Sequence, residues 1–94
     1  MRERWFGATG KRVPEIAVEG DPSVPVDEAL VLDYPADVER LRAAHEQGIP
    51  VVVRAETAKG VKGALARPEV AAVLVPREKE ELLTLDLTDL TYGA

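Results

Sequence analysis

Three short aliphatic runs dominate the middle of the chain: Ala29-Leu30-Val31-Leu32, Ile49-Pro50-Val51-Val52-Val53 and Val70-Ala71-Ala72-Val73-Leu74-Val75. None alternates with polar residues. Continuous β-branched runs of this length predict strands buried on both faces, as in a parallel sheet. Pro50 suits only the start of its strand, where a missing N–H does least harm.

Two helical patterns separate the runs. Val38, Leu41 and Ala44 form one apolar stripe, with Pro35 suited to the first helical turn, Asp37 and Glu39 near the positive end of the helix dipole, and Gly48 as the stop. Ala58, Val61 and Leu65 repeat the pattern; Thr57 is the expected N-cap, and Pro68 drives Arg67 out of the helical region. Strand, helix, strand, helix, strand implies two consecutive βαβ crossovers, expected to be right-handed.

The flanks read differently. Arg4-Trp5-Phe6 and Val13 to Val18 surround Gly7-Ala8-Thr9-Gly10-Lys11, which predicts a hairpin. Gly20 to Asp27, carrying Pro22 and Pro25, is a stiff connector, and Pro76 to Glu81 suits one helical turn. Leu83, Leu85 and Leu87 alternate with Thr84, Asp86 and Thr88, the pattern of a strand with one wet face. The expected fold is a single α/β domain over 1–94: a small mixed sheet with a parallel β-α-β-α-β core, an N-terminal hairpin and a C-terminal edge strand.

Composition narrows the setting. The 94 residues are 46% hydrophobic but only 4% aromatic, so the core is aliphatic. Asn is absent, Gln47 and Ser23 are the only residues of their kinds, and 31% of residues are charged, a balance expected of a thermophile. The chain has no Cys, hence no disulfide, thiolate nucleophile or Cys-ligated metal. No apolar run approaches the roughly 20 residues of a membrane span, and none follows the charged start as in a signal peptide. A cytoplasmic protein is therefore expected. A formal net charge of −5 disfavours nucleic acid, although Arg2, Arg4, Lys11 and Arg12 cluster near the N-terminus.

Two helices of about three turns cover one face of a sheet well, or each face thinly. The hairpin loop and the turn after Pro76 offer few large apolar residues, and an edge strand near Leu85 leaves backbone groups free. A homo-oligomer follows, most simply a twofold dimer burying an uncovered face or paired edges.

Ligands of open parallel sheets sit beyond the carboxyl ends of the strands. Those ends gather Asp33, Arg54, Glu56 and Thr57, and the start of the second helix adds Lys59 and Gly60 as the best place for a small anion. The plainer reading is that Thr57 only caps, the glycines thin the helix for packing and the lysines are solvated. Asp33 ahead of Thr57 and Pro76 is loosely similar to the phosphoacceptor site of receiver domains. Val75 stands where that family has a Lys, however, and no acidic pair follows the first strand. Gly7 to Lys11 lacks the spacing of a phosphate loop. His45 and Ser23 lie too far apart in pattern to suggest a nucleophile and base, and one histidine without cysteine does not make a zinc site. Asp33 with Glu56 leaves room for Mg²⁺.

The sequence thus favours a self-associating binding or regulatory module without catalysis and without a cofactor. The alternative is a phosphoacceptor or Mg²⁺-dependent phosphate-handling site built from Asp33, Arg54, Glu56 and Thr57.

Overall fold

The computed structural model describes residues 3–84. Strands β1 (Glu3–Trp5) and β2 (Arg12–Pro14) form an antiparallel hairpin. Strands β3 (Ile16–Val18), β4 (Leu30–Asp33), β5 (Val51–Arg54) and β6 (Val70–Val75) form a parallel sheet in the order β3-β6-β5-β4. Helix α1 (Val38–Glu46) links β4 to β5, and α2 (Ala58–Leu65) links β5 to β6. The mixed α/β fold with a parallel β-α-β-α-β core and an N-terminal hairpin is as expected.

Both helices lie on one face of the sheet. Leu41 and Ala44 of α1 and Val61, Ala64 and Leu65 of α2 pack with Leu32, Val51, Val53, Val70, Val73 and Val75. The sheet's other side presents Ala17, Val52, Ala71, Ala72 and Leu74, which are covered by Phe6 and Val13 of the hairpin and Val24 of the connector. The two faces therefore solve different packing problems. The helix side carries branched side chains, whereas three of the strand residues on the hairpin side are alanines, so the backbone of a two-stranded ribbon can approach closely. One Phe, fully buried, does much of the filling. The sheet face expected to need a second subunit is covered within one chain.

The crossovers obey one rule. From β4 to β5 to β6 the chain steps across the sheet in one direction, with its helices on one face. From β3 to β4 it travels the opposite way, so a right-handed connection must use the opposite face. Val24 of that connector does sit in the hairpin-side cluster. A bulge between β5 and β6 pairs Val51 with Val70 but Val52 with Ala72. The extra residue, Ala71, resets the alternation so that Val73 and Val75 return to the helix side.

Three sequence expectations change in detail. Val13 to Val18 is not one strand: the chain leaves the hairpin after Pro14, and β3 joins the main sheet, with the Val73 N–H donating to the Glu15 carbonyl at 2.8 Å. Pro35 lies ahead of α1 rather than in its first turn, after a cis Tyr34–Pro35 peptide, and Asp37 is the N-cap, accepting from the Glu39 N–H at 2.9 Å. Leu83 belongs to a 3-10 segment, Arg77–Thr84, rather than a strand; there Leu82 is buried in the helix-side core. Leu85 and Leu87, the rest of the expected C-terminal edge strand, lie outside the described residues. Among the described residues no helix is long and apolar enough to cross a membrane.

Candidate functional site

Parallel register brings Asp33 beside Arg54, and the crevice beyond these strand ends has a volume of about 580 Å³. Four of the six sequence-predicted site residues, Asp33, Arg54, Glu56 and Thr57, line it together with Glu19 and Tyr34. The charges there answer one another. Arg54 Nε donates to Asp33 Oδ1 at 3.0 Å and stands 3.9 Å from Glu19 Oε1. The lining holds three carboxylates (Glu19, Asp33 and Glu56) against a single guanidinium, a balance that opposes an anion. No group of three or more His, Asp or Glu able to hold a metal occurs among the described residues.

Thr57 is engaged as a cap: its Oγ1 accepts from the Gly60 N–H at 3.0 Å. Lys59 is exposed and Gly60 buried, and neither lines the crevice. The two glycines of α2 serve the Tyr34 ring. A Cβ at Gly60 would stand 3.2 Å from Tyr34 Cδ2, and one at Gly63 only 2.6 Å from the Tyr34 hydroxyl. Close approach is thus by a side chain of the protein itself.

A second concavity, of about 800 Å³, lies at the opposite end of the sheet. It is bounded by the hairpin, by the last turn of α1 and by the residues between α2 and β6. Trp5, Ile49, Pro68, Val70 and Ala71 supply apolar walls, with Gly7, Ala8 and Gly48 between them. Trp5, the sole tryptophan, is 62% exposed, and Ile49 is also exposed. The Arg12 guanidinium stacks over the Trp5 ring, 5.3 Å from its centroid.

The hairpin that carries Trp5 is anchored by its neighbour. Alternation along β1 turns Trp5 outward and Arg4 inward, where the Arg4 side chain is 12% exposed. Arg4 Nε donates to Glu15 Oε1 at 2.9 Å, Nη1 to the Val70 carbonyl at 2.9 Å and more weakly to that of Arg67, and Nη2 to that of Leu65. This guanidinium fastens the hairpin to the carboxyl end of α2 and the entry to β6. Of the basic residues read near the N-terminus, Arg2 lies outside the described residues, and the other three are each engaged within the chain. Arg4 is inside, Lys11 pairs with Glu28 at 3.0 Å, and Arg12 lies on Trp5 with Glu3 at 3.9 Å.

This second concavity was not anticipated from sequence. Its one available signal was Trp5, a lone tryptophan beside a loop in a chain otherwise poor in aromatics. Comparison with protein-family models, with curated proteins and with solved structures finds no match for this chain.

Proposed function

We propose that this chain is a non-catalytic binding module, in the cytosol, that takes its ligand at the Trp5–Ile49 pocket and self-associates. One observation carries the binding reading: the only tryptophan stands largely in water over an apolar hollow of ligand size. Exposed aromatics beside concave apolar surface are where small proteins make contacts, because their burial supplies much of the binding energy. The strand-end crevice, by contrast, has its guanidinium and its Thr57 hydroxyl already occupied within the chain.

An open sheet edge supports self-association. The N–H groups of Leu30 and Tyr34 donate to the carbonyls of Pro50 and Arg54, on the β5 side, so alternation turns those of Val31 and Asp33 toward the outer edge, beyond which no described strand lies. Two copies paired along β4 would continue the sheet across a twofold axis. Sedimentation velocity across a concentration series tests this, and a single monomeric species up to the solubility limit would discard it.

The alternative is phosphate handling at Asp33, Arg54, Glu56 and Thr57, and its support is their convergence in one crevice. Thermal denaturation with Mg²⁺, inorganic phosphate and acetyl phosphate separates the two. The binding-module reading expects no shift with any of them. A shift lost on Asp33→Ala would reverse the order of preference.

A further inference from the structure

We infer that the Trp5 pocket selects an organic cation with a hydrocarbon stem, an alkylammonium or alkylguanidinium, and this rests on the pocket being the binding site proposed above. Three features of the cavity point the same way.

The first is an unmet acceptor. Glu69 lines the cavity with its side chain 12% exposed, and its Oε2 accepts from Arg67 Nη2 at 3.2 Å. Its Oε1 is buried with no hydrogen-bond donor. Arg67 Nε, on the same stretch, also lacks a partner, so the pair is not closed on itself, and of the two residues only Glu69 lines the cavity. Buried carboxylate oxygens are nearly always satisfied, and the terminal torsion of a Glu turns easily enough to present Oε1 to a donor in the cavity.

The second is the sign of the surroundings. Both helices end at this side of the sheet, and His45, Gly48, Pro68 and Glu69, which follow or close their last turns, are part of the wall. Helix carboxyl ends carry partial negative charge. Glu3, Glu15 and Glu69 line the cavity with Arg4 and Arg12; Glu15 is taken up by Arg4 and Glu3 stands 3.9 Å from Arg12, so Glu69 is the lining carboxylate with an oxygen left over.

The third is an internal stand-in. The Arg12 guanidinium lies on the Trp5 ring at the cation–π distance, from a side chain that is largely exposed and so displaceable. The ring face thus already holds the kind of group inferred for the ligand. Ile49, Pro68 and Ala71 are suited to the stem.

The sole tryptophan makes the test direct, because emission reports from the pocket alone. The full chain is titrated at low ionic strength with hexylammonium, hexylguanidinium, hexanol and hexanoate, following Trp5 emission and, independently, thermal shift. Both cations are expected to bind at least about tenfold more tightly than hexanol, with hexanoate weakest. Glu69→Gln should bring the cations down to the level of hexanol. Glu28→Gln, which removes the same charge outside the cavity, should change nothing. Blocked lysine and arginine amides, run alongside, distinguish a partner's side chain from a free amine as the source of the cation.

Equal binding of hexanol and the cations would leave the pocket as the site but overturn its selectivity for charge. No binding by any of the four would overturn both readings. A preference lost equally in Glu28→Gln and Glu69→Gln would show overall charge at work, and one kept in both would show that neither carboxylate sets it; either outcome overturns the role of Glu69. Selectivity among the four ligands is measured on the unmodified chain, so the inference stays open to refutation even if Glu69→Gln does not fold.

Discussion

The two ends of the parallel sheet are built from the same chemical alphabet and use it in opposite ways. Beyond the carboxyl ends of β4 and β5, charged side chains meet each other in water: Asp33, 76% exposed, pairs with Arg54, and Thr57 turns back to its own helix. At the amino ends of β5 and β6, one charged side chain is driven inside to hold the hairpin, leaving an aromatic ring outside above an apolar hollow. Charged residues at strand ends therefore do not by themselves mark a site. What distinguishes the second end is that Arg4, Glu15 and Glu69 are drawn inside while Trp5 and Ile49 are left exposed.

The comparison is tested most severely at Arg4. Replacing it by Met leaves Glu15, whose side chain is 5% exposed, without its guanidinium, and strips donors from the carbonyls of Leu65 and Val70. Breaking a buried pair from one side costs about 3–5 kcal/mol. For a domain of this size that is a fall of roughly 15 °C or more in Tm. Arg4→Met with Glu15→Leu should recover much of the loss, since the buried carboxylate is then gone. Chemical denaturation of the single and double variants measures both. A loss under about 1 kcal/mol for Arg4→Met would mean that the hairpin is held by Phe6 and Val13 alone.

Gly7 comes next. Its φ of +56° already disfavours a side chain, and a Cβ would stand 2.7 Å from both the Gly48 carbonyl oxygen and the Pro50 nitrogen. Those contacts are backbone, on the loop between α1 and β5, and cannot swing away. Gly7→Ala should therefore cost about 2 kcal/mol. It should also shift the hairpin against that loop, weakening any ligand of the Trp5 pocket more than any ligand of the crevice. Equal effects at the two ends, read by thermal shift, would contradict the separation drawn between them.

These positions also show what the sequence could and could not convey. The β4-α1-β5-α2-β6 core was legible because Val51 to Val53 and Val70 to Val75 are too apolar for any setting but a covered sheet, and Thr57 and Gly48 mark helix ends by their own chemistry. The convergence of Asp33, Arg54, Glu56 and Thr57 followed from that core, since parallel strands put their carboxyl ends together. The hairpin's role was not legible. Phe6, Val13 and Val24 are scattered single residues, and that they suffice depends on Ala17, Ala71 and Ala72 meeting on one face, which the bulge at Ala71 brings about. Arg4 read as surface charge because its partners lie 11 to 66 residues away. The pocket, made by that docking, was hidden for the same reason.

Thr57→Ala has a smaller expected effect. It frees the Gly60 N–H at the start of α2 and should cost about 1 kcal/mol, within the ordinary range for an N-cap. Its value lies in what it leaves unchanged. If Thr57 only caps, Trp5 emission and the response to hexylammonium should match the unmodified chain once the difference in stability is allowed for.

The smallest effect is expected at Asp33, the residue on which the enzymatic alternative most depends. Its carboxylate faces water and its bond to Arg54 joins two exposed side chains, so Asp33→Asn should change stability by less than about 0.5 kcal/mol, as surface ion pairs generally do. A catalytic or phosphoacceptor Asp would behave differently, because strand-end carboxylates that do chemistry are crowded with other acids and are relieved by a cation or by neutralisation. There Asp33→Asn would raise Tm and abolish any stabilisation by Mg²⁺. In this crevice Arg54 already supplies the counter-charge, and its Nε also lies 3.9 Å from Glu19. Denaturation of Asp33→Asn with and without Mg²⁺ therefore decides whether the strand-end charges are occupied with one another or are waiting for a ligand.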